Sequence, residues 1–238
     1  MPEQMSGKLY LIPTTIADNT QQQVIPNQVK DTLAGIKHFL AEDVRTARRY
    51  LSSLKVYASI EELQFDVLNK ETATATIAQL MQPLVNGFNL GVISESGCPG
   101  VADPGALAVA YAHAQGFQVV PLVGPSSILL ALMASGLNGQ QFAFNGYLPV
   151  DANEASKKIK ELERESKLKN HTQIFIETPY RNNAVFKHLV NNLNADTRLT
   201  VALDITGKEE VISTRPVSIW KSKPTEWPKA PAVFLFLA

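Results

Sequence analysis

The chain has 238 residues, 45% of them hydrophobic, which is enough for one large or two small domains with real cores. Its 22 Lys and Arg balance its 22 Asp and Glu, so no global field draws a polyanion and any nucleic-acid contact must use a local patch. The single cysteine, Cys98, excludes an intramolecular disulfide, no apolar run reaches the roughly 18–20 residues of a membrane span, and residues 1–8 lack a signal-peptide core, so a cytoplasmic protein with no membrane contact is expected.

KLYLI at 8–12, stopped by Pro13, predicts a buried first strand with Thr14 and Thr15 at its carboxyl end. The polar run DNTQQQ at 18–23 predicts a loop. From Asn27, a candidate cap, Val29, Leu33, Ile36 and Leu40 share one helical face, although HFLA at 38–41 also reads as a strand. AEDVRTARRYLSSL at 41–54 predicts a helix with Glu42 and Asp43 at its start and Arg45, Arg48 and Arg49 further along. That charge order suits the helix dipole, whether the face is merely solvated or flanks a ligand cleft. Residues 72–85 predict one more helix, with Ile77, Leu80, Met81 and Leu84 on one side.

The stretch LGVISESGCPGVADPG at 90–105 joins a strand pattern to a loop containing Gly97, Gly100, Gly105, Pro99 and Pro104. Glycine lets a ligand approach bare backbone and proline stiffens the chain, so the pair predicts a rigid cradle rather than a linker. A helix over 106–114 and a strand over 117–122 complete a βαβ unit, whose ligands bind outside the carboxyl ends of the strands. The spacing is neither GxGxxG nor a Walker A loop. Beyond Gly124 and Pro125, Ser126 can cap an apolar helix over 128–137, expected to be buried on most sides, and Ser126 and Ser127 are candidate ligand contacts or simple caps. A second domain is expected to begin between about 122 and 142.

FAFNGYLP at 142–149 alternates apolar and small residues. Residues 151–169 carry eleven charges around Ile159, Leu162 and Leu168; Glu163–Lys167 and Glu165–Lys169 are candidate i,i+4 pairs on a solvated helix. Strands are predicted over 172–176, 199–205, 209–214, 217–221 and 232–237, with a helix over 182–193. Closely spaced strands point to a mixed sheet with antiparallel hairpins.

Seven segments in order, LYLIPTTI at 9–16, AEDVRT at 41–46, ISESGCPGVADPG at 93–105, VVPLVGPSS at 119–127, FNGYLP at 144–149, IETPYR at 176–181 and DITGKEE at 204–210, resemble the tetrapyrrole methylase family of methyltransferases. Within it they are most similar to the branch of ribosomal RNA small-subunit (cytidine-2′-O)-methyltransferases. The resemblance implies an α/β fold with two α/β domains, 1–122 with a mainly parallel sheet and 123–238 with a mixed sheet, the cofactor S-adenosylmethionine in the cleft between them, and a homodimer. It implies cofactor contacts from Pro13, Ile16, Ser94, Cys98, Val101, Ser126 and Ser127, and from the second domain near Glu177, Asp204 and Ala232; no metal is implied. The chain departs from the branch over 17–35, at Glu95 and over 204–208, positions expected to line the cleft.

A ribose hydroxyl is a poor nucleophile, so a general base helps methyl transfer; Glu177 and Lys208 are the candidates, with a structural ion pair or a helix-start carboxylate as the alternative roles. Arg45, Arg48 and Arg181 are candidate contacts to RNA phosphates. Two rival readings stay open: a methyltransferase acting on a tetrapyrrole or other small molecule, expected to show an apolar cleft with few cations, and a cofactor-binding protein without catalysis, expected if the altered segments close the cleft.

Overall fold

In the computed structural model, which describes residues 7–223 and 225–238, the apolar runs of the first half become one parallel sheet. Its strands are β1 (Leu9–Ile12), β2 (His38–Ala41), β3 (Gln64–Val67), β4 (Leu90–Ile93) and β5 (Val119–Pro121), in the order β3-β2-β4-β1-β5. The helices between them are α1 (Gln21–Val24), α2 (Asn27–Leu33), α3 (Val44–Leu54), α4 (Ile77–Leu80), α5 (Gln82–Val85) and α6 (Gly105–Ala114). This unit ends at Ser126 and a second begins at Ser127.

A parallel sheet must be covered on both faces, and alternation along each strand sorts its side chains accordingly. Phe39, Ala41, Ile12 and Ile93 join Val29, Leu33, Ala47 and Leu51 of α2 and α3 in one cluster. Leu40, Leu90 and Val92 join Ile77, Met81, Ala108 and Ala112 in another. Gly91 lies where a Cβ would stand 2.4 Å from Ile12 Cδ1 and 2.9 Å from Phe39 Cδ1, so the central strand must be bare there for its neighbours to close over it.

The structure decides the ambiguous stretch at 38–41 as strand: α2 stops at Leu33, and Ala34 and Gly35 turn the chain toward β2. Two expectations from this half are corrected. The polar run at 18–23 contains the start of α1, and residues 72–85 are not one helix but a short 3₁₀ turn at Thr74–Thr76 followed by α4 and α5. Pro83 has no N–H to give to the carbonyl four residues back, which forces the break at Met81.

The second unit holds α7 (Ser127–Ser135), β6 (Phe142–Phe144), α8 (Ala152–Lys169), β7 (Thr172–Glu177), α9 (Asn182–Asn192), β8 (Arg198–Leu203), β9 (Val211–Pro216), α10 (Val217–Ser222) and β10 (Ala232–Leu237). The sheet order is β6-β7-β10-β8-β9; β6 and β7 are parallel and the remaining pairs antiparallel. Its core is built on Phe175, Leu199, Val201, Phe234 and Phe236 with Val185, Phe186 and Leu189 of α9.

Three further expectations are overturned here. Val217–Lys221 is helix, not strand: Pro216 precedes it, and the three-residue spacing of Val217 and Trp220 buries both, with Trp220 Nε1 donating to Leu199 O at 2.9 Å. The helix α7 is less buried than its composition suggests, because Met133 is 77% exposed. In α8, Leu168 points to solvent and Glu163 does not pair with Lys167. The Glu163 carboxylate is buried and accepts from Asn194 N and Asn194 Nδ2, both at 2.7 Å, and from Thr197 Oγ1, tying α8 to the turn before β8. Replacing Glu163 by Ala strands three donors, so Glu163→Ala is expected to cost about 2–3 kcal/mol in the unfolding of this unit by urea, against less than about 0.5 kcal/mol for Leu168→Ala.

Candidate active site

β2 and β4 are neighbours, and the chain leaves β2 toward β3 on one side and leaves β4 toward β5 on the other. Connections that diverge from adjacent parallel strands leave a crevice at their carboxyl ends. There the structure has a pocket of about 180 Å³. Thr14, Thr15 and Ile16 follow β1 into it, Ser94 and Glu95 follow β4, α3 adds Thr46, Arg49, Tyr50 and Ser53, and Asp18, Asn19 and Gln21 close the far side.

The pocket floor is held by backbone. Gly97, at φ +73°, turns its carbonyl toward β1, where it accepts from Thr14 N at 2.9 Å and from Ser94 Oγ at 3.2 Å. Tyr50 OH donates to Pro13 O at 2.6 Å, and burial pushes the phenol well above its ordinary range, so it acts here only as a neutral donor. Gly124 packs on the Pro13 ring, where a Cβ would stand 2.1 Å from Pro13 Cβ. Asp103 Oδ1 accepts from Gly100 N at 2.6 Å and Gly105 N at 2.8 Å, closing the loop on itself. Cys98 Sγ donates to Pro125 O at 3.3 Å, and burial raises its thiol pKa, which keeps sulfur protonated and argues against thiolate chemistry.

The pocket rim carries a like-charge cluster. Burial, then the charges of Asp103 and Glu95, push the Glu42 carboxyl up, with Lys70 acting in the opposite sense. Asp103 is raised by burial too, partly offset by its two amide donors.

In the second unit, Ala232 pairs with Glu177 on one side and with Leu203 on the other, so the carboxyl ends of β7 and β8 meet the start of β10. Glu177 is buried; its Oε1 accepts from Thr178 N at 2.8 Å and Thr178 Oγ1 at 3.2 Å. Its Oε2 has no hydrogen bond, although Arg181 Nη2 lies 3.5 Å away. That guanidinium nitrogen donates instead to the carbonyls of Leu148 and Pro149, both at 3.2 Å. Asp204, at φ +47°, accepts from Glu209 N at 2.9 Å, and Gly207 leaves room for its carboxylate. Thr206 Oγ1 is buried without a hydrogen-bond partner among the described residues, and Lys208 is exposed beside Glu209 and Glu210.

The structure thus gathers Pro13, Ile16, Ser94 and Cys98 at the ends of β1 and β4, and Glu177, Asp204 and Ala232 at one end of the second sheet. Val101 is exposed on the central loop; Ser126 closes the first unit and Ser127 opens α7, both half-buried. Arg45 is exposed on α3, and Arg48 lies over the Phe65 ring, 5.2 Å from its centroid, facing the sheet edge. The arginine that lines the pocket is Arg49, which the sequence placed on the basic face of this helix but not among the candidate phosphate contacts. Its spacing from Thr46 and Ser53, three and four residues, was the available signal.

No family model matches the chain. Its sequence is 30% identical over 214 residues to ribosomal RNA small subunit methyltransferase I of Escherichia coli O157:H7, covering 89% of this chain and 70% of that protein. It is 28% identical over 210 residues to the protein of the same name from Vibrio cholerae serotype O1, covering 88% and 69%, and 30% identical over 204 residues to that of Bacillus subtilis strain 168, covering 86% and 65%. The fold is that of two solved structures. Uroporphyrin-III-C-methyltransferase from Thermus thermophilus has a TM-score of 0.56 at 16% identity, covering 97% of this chain and 92% of that one. The methyltransferase CobJ has a TM-score of 0.61 at 17% identity, covering 97% and 94%.

The rim cluster has a consequence for stability. A carboxyl raised in the folded state holds more protons than in the unfolded chain between the two pKa values, so stability falls as pH rises from the ordinary glutamate range through the folded value of Glu42. Glu42→Gln is expected to stabilise the protein by a few tenths of a kcal/mol at pH 7, since the group is only partly buried, and the gain should shrink toward pH 4. Thermal unfolding across that range measures it.

Proposed function

The chain belongs to the ribosomal RNA small subunit methyltransferase I family, a branch of the tetrapyrrole methylases, and is a methyltransferase; on that premise we propose that it transfers the methyl group of S-adenosylmethionine to a ribose 2′-hydroxyl of small-subunit ribosomal RNA. The observation that carries the substrate side of this reading is the character of the β1–β4 pocket. A macrocycle calls for apolar walls, whereas this pocket is lined by hydroxyls, amides, two carboxylates and Arg49, with Ile16, Ala47 and Ile93 as its aliphatic members. Its size and polarity suit a single nucleoside unit. The altered segment at 17–35 lines the pocket through Asp18, Asn19 and Gln21 without filling it, which favours catalysis over a closed, inactive site.

S-adenosylmethionine would supply an electrophilic methyl group on a sulfonium. From the first unit Pro13, Ile16, Ser94, Cys98, Val101 and Ser126 are proposed to hold it, and from the second Ser127, Asp204 and Ala232. Two polar atoms of the second unit are available to such a ligand's hydroxyl and amino groups: Glu177 Oε2 and Thr206 Oγ1 are buried with no hydrogen-bond partner among the described residues. The central loop is closed by its own hydrogen bonds, so the protein positions groups without reorganising, which is the main help an in-line transfer can receive.

Of the two proposed bases, Glu177 has the better geometry. Thr178 orients one carboxylate oxygen and leaves the other open to a proton, while Arg181, tethered to the 148–149 carbonyls, stands beside it as a positioning group. Lys208 is exposed and lacks the desolvation that a lysine base needs. Arg45 and Arg48, exposed on α3, and Arg49, which lines the pocket, are proposed to meet phosphates, as is Arg181. A cytoplasmic homodimer completes the proposal; among the described residues no helix is long and apolar enough to cross a membrane, and the exposed Met133 side of α7 offers apolar area for self-association.

Incubating the protein with radiolabelled S-adenosylmethionine and small ribosomal particles from cells lacking it is expected to label small-subunit RNA. Label in a tetrapyrrole pool instead, or none at all while calorimetry shows the donor binding, would overturn the RNA reading. Glu177→Gln is expected to lower kcat by about 10²–10⁴ with the donor Kd little changed; a matching loss of donor affinity would make Glu177 a cofactor ligand rather than the base.

A further inference from the structure

The function just proposed makes no use of α8, the most charged element of the chain. At about 100° per residue, Lys157, Lys160, Arg164 and Lys167 fall within a sector of about 80° on its surface. All four are exposed, on the side away from the buried Ala155, Ile159, Leu162 and Ser166. The helix also carries acids, and apart from Glu154, exposed in its first turn, they are directed elsewhere. Glu161 pairs with Lys158 at 3.6 Å, Glu165 pairs with Lys169 at 2.6 Å, and Glu163 is turned inward onto Asn194 and Thr197. None of the four stripe cations has an ion pair among the described residues. A solvated helix of mixed charge ordinarily pairs its acids and bases along itself; here the pairing leaves one face purely cationic, with Lys160 and Arg164 repelling at i,i+4.

We propose that this face of α8, Lys157–Lys160–Arg164–Lys167, is a docking surface for the phosphate backbone of the RNA substrate, separate from the pocket that receives the acceptor nucleoside. The proposal rests on the RNA-methyltransferase reading. The stripe is about 15 Å long, enough to follow several successive phosphates, and it is the local patch that a chain of zero net charge requires to hold a polyanion. Contacts of this kind set position rather than sequence, so the stripe would add affinity and register while leaving the methylated atom to the pocket.

The test is a quadruple variant, Lys157→Gln, Lys160→Gln, Arg164→Gln and Lys167→Gln, since glutamine keeps helix propensity close to that of lysine and arginine. Filter binding to naked small-subunit RNA between 50 and 200 mM salt is expected to show at least tenfold weaker affinity and a log–log salt slope shallower by about 2–3. Calorimetric binding of S-adenosylmethionine should stay at the wild-type value, which verifies that the variant is folded. Lys158→Gln with Lys169→Gln, which removes the ion-paired cations, should change affinity less than twofold. Wild-type affinity and slope in the quadruple variant would overturn the stripe while leaving the methyltransferase reading intact. A loss seen only with whole particles would also overturn it, and would point to an acidic protein surface. If the wild-type protein neither binds nor methylates RNA, both readings fall together.

Discussion

The carbonyl of Gly97 is the point on which the first unit's site depends. Two adjacent strands deliver their carboxyl ends side by side, and a donor from each, Thr14 N after β1 and Ser94 Oγ after β4, converges on that one oxygen. Only a residue tolerant of positive φ turns its carbonyl that way at low cost, and Gly97 sits at +73°. With the oxygen so placed, the loop to α6 must double back, and Asp103 closes it through Gly100 N and Gly105 N. The pocket beside α3 is then what remains uncovered. It exists because the connections from β2 and β4 run in opposite directions, a property of strand order rather than of any one side chain.

Elements whose pattern is local were legible in the sequence. The strand at 90–93, the loop behind it and the helix opening at Gly105 each follow from apolar runs, glycine and proline. The mixed sheet of the second unit was legible from closely spaced strands. What could not be read were choices that distant residues make. Val217–Ser222 has the composition of a strand but is held as a helix by burial of Val217 and Trp220 and by an indole bond to Leu199, eighteen or more positions away. Glu163 looks like any charged helix residue until Asn194 and Thr197 are seen to cover it.

The candidate site divides in the same way. Ser94 and Cys98 lie in a loop whose chemistry is local, and the structure puts them where the loop's bends require. Arg49 and Arg48 differ by one position, yet one lines the pocket and the other stacks on Phe65, a distinction of about 100° on a helix that charge patterning alone does not resolve. Ala232 carries no chemistry that sequence reasoning could seize; its relevance comes from a register that sets it between Glu177 and Leu203.

Charge is distributed in this chain by pairing rather than by amount. Equal numbers of acids and bases give no net field, so what matters is which charges the fold neutralises internally. The rim of the first unit keeps Glu42, Glu95 and Asp103 near one another, and the Glu42 carboxyl is raised by burial first and by those two neighbouring charges second. Helix α8 does the reverse, directing three of its four acids to Lys158, Lys169 and the interior and leaving cations outermost. In the first unit Arg49 is the cation set among the pocket's carboxylates, Asp18 and Glu95, so charge there is offset within the lining, whereas none of the four stripe cations of α8 is ion-paired among the described residues and that face stays open to an anion from outside.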